Sequence, residues 1–97
     1  MVIEWLRLKV PPEKLEAFIR RDEEVWTAGL RNFPGYLGRE IWVDAMENEV
    51  VILIRWETRE QWQSVPQSTI DELDSQMGDL QIAIAESREY QIRKFLH

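Results

Sequence analysis

The chain has 97 residues, no cysteine, and 12 lysines and arginines against 18 aspartates and glutamates, for a net charge of −6. That balance argues against nucleic acid or a membrane as a partner. The missing thiols remove disulfides, cysteine nucleophiles and thiolate metal sites. The length suits one domain over residues 1–97. Five tryptophans and three phenylalanines are more than so small a core hides easily, so some aromatics are expected against a partner subunit or a ligand. No apolar run approaches the ~20 residues that span a bilayer, and the N-terminus shows no signal core. A cytoplasmic protein is expected.

Val2 to Val10 reads as a strand, with Leu6, Leu8 and Val10 on one face and Ile3, Trp5, Arg7 and Lys9 on the other. Pro11-Pro12 ends it, and Pro12 suits the first turn of a helix. That helix is expected to reach about Asn32, with Leu15, Phe18, Ile19, Trp26, Leu30 and Phe33 near one face. Asp22 falls inside this apolar stripe and is its oddest member. Pro34-Gly35 then makes a turn.

Tyr36 to Asp44 is a second strand, with Leu37, Arg39, Ile41 and Val43 on one face and Tyr36, Gly38, Glu40 and Trp42 on the other. Asp44 to Glu49 is a polar hairpin loop. Val50 to Glu57 is apolar on both faces except at Arg55, as a central strand would be. Thr58 and Gln61 form a capping box, Pro66 interrupts the helix they start, and Ile70, Leu73 and Met77 continue at helical spacing towards Gly78. Leu80 to Ala85 alternates as an extended segment, and Glu89 to Leu96 is the last strand.

The order is β-α-β-β-α-β, an α+β ferredoxin-like arrangement with an antiparallel sheet and both helices on one sheet face. The other face would carry Trp5, Arg7, Glu40, Trp42, Leu53, Arg55 and Arg93. A surface so rich in tryptophan and arginine is expected to be covered by a second copy, giving a two-fold homodimer.

The Phe33-Pro34-Gly35-Tyr36-Leu37-Gly38 turn, the Val50 to Trp56 strand and the Thr58-Arg59-Glu60-Gln61-Trp62 helix start resemble the antibiotic-biosynthesis-monooxygenase-like group of dimeric α/β barrels. The likeness runs over residues 2–96. It implies a homodimer with a cavity between sheet and helices, and cofactor-free oxygenation of aromatic polyketide or quinol substrates, with haem-degrading members alongside. Haem-degrading relatives use an asparagine on the first strand and a tryptophan and a histidine on the helix after the third. Here the first strand has no asparagine, the tryptophan slot falls near Val65, and the lone histidine is His97, which argues against haem degradation.

Two candidate bases emerge. Asp22 is either a poorly solvated general base or a carboxylate paired with an arginine or a backbone amide. Glu40, with Arg7, Arg55 and Arg93, either lines a pocket for an anionic or carbonyl-bearing ligand or forms ion pairs across a dimer. On the oxygenase reading Asp22 or Glu40 takes a substrate proton, and Arg55 or Arg7 holds the resulting oxyanion. Trp26 and Trp62 on the helices, and Trp5, Trp42 and Trp56 on the strands, can stack on a small aromatic substrate or simply pack. His97 lacks companions for a metal site, and Asp71, Glu72, Asp74 and Asp79 read as a solvated helix face. No cofactor is implied. The alternative function is a non-catalytic ligand-binding or stress-related dimer, or a protein whose sheet face serves only to dimerise.

Overall fold

The computed structural model describes residues 1–96; His97 lies outside them. Four antiparallel strands, β1 (Val2–Lys9), β2 (Tyr36–Asp44), β3 (Glu49–Trp56) and β4 (Ile84–Gln91), form one sheet in the order β2-β3-β1-β4. The helices are α1 (Leu15–Asp22), α2 (Ala28–Leu30), α3 (Arg59–Gln63) and α4 (Gln67–Gln76). The arrangement is the βαββαβ ferredoxin-like α+β fold.

Alternation along β1 and β3 sends Val2, Leu8, Val50, Ile52, Ile54 and Trp56 into one core with Phe18, Val25, Leu30, Val65, Leu73 and Met77 from the helical layer. Both helical segments therefore cover the same sheet face. β3, at the centre, is buried at Val50, Ile52, Leu53, Ile54 and Trp56, as its apolar sequence requires. Among the described residues no helix is long and apolar enough to cross a membrane.

The turn after the first helical stretch is built as its sequence suggests. Gly35 has φ +86, where a side chain is strained, and its C=O accepts from Glu57 N–H at 2.8 Å. A Cβ at Gly35 would overlap Gln61. Gln61 in turn donates its backbone N–H to Thr58 Oγ1 at 3.1 Å, completing the cap of α3.

Three expectations need correction. The first concerns β2, whose register shifts between Tyr36 and Gly38. Leu37 is the extra residue of a bulge, which reverses the side-chain alternation before it. Tyr36 therefore lies on the inner face opposite Trp56, with the two rings edge to face at 5.5 Å, and Leu37 is 48% exposed.

The second is the last strand, which begins at Ile84 and not at Glu89. It pairs from Leu8↔Ile84 to Val2↔Gln91, and beyond Gln91 β1 has no further residues to pair with; Ile92 N–H bonds to Met1 C=O at 3.1 Å. Arg93 thus falls past the strand, and Leu80 closes a 3-10 turn (Gly78–Leu80) instead of starting an extended run. The third is the first helix, in which Glu23–Thr27 form a π-helical turn, with Ala28 N–H reaching Glu23 C=O five residues back.

Candidate functional site

A cavity of about 250 Å³ lies between the inner sheet face and the helices. Leu6 and Ile52 of the sheet, Phe18 of α1, Val65, and Met77 beyond α4 make its apolar walls. Trp26, Trp56 and Trp62 supply three indoles. One end is polar, formed by Asp22 at the end of α1, Arg39 on β2 and Glu4 on β1.

Asp22 is 1% exposed. Arg39 grips both its oxygens, Nε donating to Oδ2 at 2.9 Å and Nη2 to Oδ1 at 2.7 Å. The two side chains are 2% and 6% exposed. Low dielectric strengthens such a pair and makes its breakage expensive. The Arg39 guanidinium carbon also lies 5.6 Å from the Trp26 ring centroid, within cation–π range. A guanidinium has five N–H groups and Asp22 takes two, so three remain for a ligand. The π turn sits directly after Asp22, and such turns recur at functional sites.

Glu4 occupies an inner position of β1 otherwise held by Val2, Leu6 and Leu8. Burial pushes its carboxyl above the ordinary value of 4.5, while the Arg39 charge and the nearby Trp56 indole pull the other way. Among the described residues, the Trp56 N–H and the Tyr36 hydroxyl are buried without a partner of hydrogen-bond geometry. Burial likewise raises the Tyr36 phenol, against the pull of Arg39.

The sequence-derived site residues separate into two groups. Asp22, Trp26 and Trp62 meet at the cavity. Arg7, Glu40, Trp42 and Arg55 lie on the opposite sheet face. There Glu40 Oε1 accepts from Arg55 Nε and Nη2 at 3.2 and 2.9 Å, and Glu40 Oε2 accepts from Trp42 Nε1 at 3.0 Å. The Trp42 bond, then Arg55, holds the Glu40 carboxyl below its ordinary range. Arg7 bridges Glu49 at 2.8 Å and Glu86 at 3.1 Å.

Glu4 and the pairing role of Arg39 escaped the sequence reading. The available signal was the same for both: a charge at an inward position of an alternating strand. Among the described residues no cluster of three or more histidines or carboxylates is arranged to hold a metal ion.

Two outcomes follow. Asp22→Leu leaves Arg39 buried without its counter-charge and should cost about 3–5 kcal/mol of unfolding free energy, read by urea denaturation; adding Arg39→Met should recover most of it. For Glu4, the raised folded value means that the native state holds an extra proton just above pH 4.5. Stability therefore falls as pH rises through that window and levels above it. Glu4→Gln removes this penalty, so its urea midpoint should gain on the wild type as pH rises from below 4.5 to neutral; a difference flat with pH contradicts the assignment.

Residues 1–69 match the family profile described as antibiotic biosynthesis monooxygenase. Comparison with curated proteins finds no match. Among solved structures, the haem degrader MhuD from Mycobacterium tuberculosis, with two haems in its active site, superposes with a TM-score of 0.75 at 18% identity, covering 100% of both chains. The ActVA-Orf6 monooxygenase of Streptomyces coelicolor, in complex with nanaomycin D, gives 0.78 at 16% identity over 99% of this chain and 90% of that one. SnoaB, a cofactor-independent oxygenase from Streptomyces nogalater, gives 0.71 at 15% identity over 98% and 95%. At such identities the superpositions speak for the fold alone, whereas the profile match spans β1, α1 and α2, β2, β3, α3 and the start of α4. This chain belongs to the antibiotic biosynthesis monooxygenase family.

Proposed function

We propose that this protein binds a small planar aromatic molecule in the cavity behind its sheet and oxygenates it with molecular oxygen, without a bound cofactor. The observation that carries the reading is the cavity itself: about 250 Å³, walled by three indoles, with a fixed guanidinium at one end. Family membership supports it, as does SnoaB, a cofactor-independent oxygenase of the same fold.

The chemistry asks for three things. A base takes a proton from the substrate. The substrate anion passes an electron to oxygen, a C–O bond forms, and the resulting hydroperoxide loses water to leave a carbonyl, so that CH₂ and O₂ become C=O and H₂O. A donor must meanwhile stabilise charge on the substrate oxygen. Arg39 is placed for the last task, and Asp22 acts on it as a positioning residue. Trp26 and Trp62 flank the ring.

Glu40, Arg55, Trp42 and Arg7 then belong to a homodimer interface. Trp42 and Tyr90 are 49% and 46% exposed on the sheet face that also holds Trp5, Val51 and Leu53. A second copy packed there would take these side chains out of water.

Carriage without reaction is the second reading. It is favoured by the commitment of both Asp22 oxygens to Arg39. A panel of quinols and anthrones under oxygen separates the two: product formation above the autoxidation rate is expected, and bound ligand recovered unchanged across the panel favours carriage. In sedimentation the protein should run at twice its 11.6 kDa chain mass; a lone chain at working concentration contradicts the interface.

A further inference from the structure

Three features at the polar end of the cavity serve no purpose in packing. Glu4 and Arg39 stand in one cross-strand row with Ile54 between them, which puts their Cα atoms about 10 Å apart by strand spacing. Among the described residues no ion pair joins them, because Arg39 is committed to Asp22 and Glu4 feels only its charge. The Trp56 indole N–H, on the neighbouring strand, is buried, and among the described residues it meets no acceptor at full hydrogen-bond geometry; its nearest pull is on the Glu4 carboxyl. A buried donor left short of a partner is destabilising, and a ligand acceptor would offset that cost. The cavity thus offers one proton acceptor, one cationic fork with three spare N–H groups, and one neutral donor.

The other carboxylates nearby are engaged. Asp22 is held by Arg39. Asp74, also in the cavity wall, accepts from Gln81 at 2.7 Å. Glu89, at the β4 end of the row, is held by Arg59 at 2.9 Å. Among the described residues of the cavity wall, Glu4 is the carboxylate left to meet a ligand.

Size narrows the ligand. A cavity of roughly 150 Å³ accepts benzene, so about 250 Å³ accepts one substituted ring or two fused rings. Charge narrows it further. Asp22, Arg39 and an ionised Glu4 sum to one negative charge. A phenol that gives its proton to Glu4 leaves that sum unchanged: the phenolic O–H bond breaks, a carboxyl O–H forms, and the electron pair stays on the phenolate oxygen beside Arg39. Burial already disfavours a charged Glu4, so the proton is readily held there.

We infer that the cavity takes a one- or two-ring hydroxyarene, that its hydroxyl lies between Glu4 and Arg39, and that Glu4 accepts the hydroxyl proton while the Trp56 N–H binds an acceptor on the ring. This rests on the cavity being the ligand site, as in the proposed function.

The test uses para-nitrophenol, whose absorption spectrum distinguishes phenol from phenolate, at a pH where the free probe is protonated. Tryptophan fluorescence reads binding independently. The wild type should bind the probe and develop the phenolate band, while Glu4→Gln should bind it and lose the band. Naphthol should bind as well. The inference is overturned if the bound probe stays protonated on the wild type, or ionises equally on Glu4→Gln; the cavity remains the ligand site in either case. It is also overturned if anthrone is oxygenated while neither para-nitrophenol nor naphthol binds, and then the oxygenase reading survives. Absence of binding by any of the three sinks both. Glu4→Asp, which keeps the carboxyl, should restore part of the band and provides a second variant should Glu4→Gln fold poorly.

Discussion

The buried pair between Asp22 and Arg39 ties the two layers of this fold together. β2 is an edge strand with β3 as its one neighbour in the sheet, so its other anchorage must come from the helices. Arg39 reaches across from β2 to the last residue of α1, with both contacts at 2.9 Å or less. Buried ion pairs are weak contributors to net stability, since desolvation offsets most of the attraction. Their value lies in geometry, because a planar fork on a carboxylate fixes direction as well as distance. Here the fixed object is a guanidinium with donors to spare, resting near Trp26 and bordering a cavity. Trp26, within the π turn that follows Asp22, borders the same space.

The sheet separates two kinds of polar chemistry. On the inner face, Glu4, Arg39 and the Trp56 N–H are largely removed from water, and their interactions are strong and incompletely satisfied. On the outer face, Glu40 with Arg55 and Trp42, and Arg7 with Glu49 and Glu86, form reciprocal networks with shorter reach and more solvent. Partners already satisfied suit an interface, where complementarity matters more than reactivity. Groups left short of a partner suit a ligand. The same residue types thus carry different meanings on the two sides of one strand.

Much of this was legible in the chain. Alternation in Val2 to Val10, the Pro11-Pro12 stop, the Gly35 turn, the Thr58–Gln61 cap and the apolar β3 together give the element order, because each reflects a local rule that the tertiary structure does not override. Asp22 stood out as a charge in an apolar stripe. The bulge at Leu37 did not, since one inserted residue leaves little trace beyond Gly38, and it moved Tyr36 to the other face. The true start of β4 was hidden because its inner positions Ser87, Glu89 and Gln91 are polar, which leaves no apolar alternation to read. Alternation already put Glu40, Trp42 and Arg55 on the face away from the helices, and the register has them there. Glu4 and Arg39 carried the opposite signal, charge at inward positions.

The central claim is that ligands enter the space between sheet and helices, and the five tryptophans report on it directly. Trp26, Trp56 and Trp62 line the cavity, while Trp5 and Trp42 lie on the opposite sheet face. Indole N–H resonances followed by NMR during titration with naphthol should move for Trp26, Trp56 and Trp62, with Trp56 moving furthest, and stay in place for Trp5 and Trp42. Movement confined to Trp5 and Trp42 would place the ligand on the outer face and contradict the account.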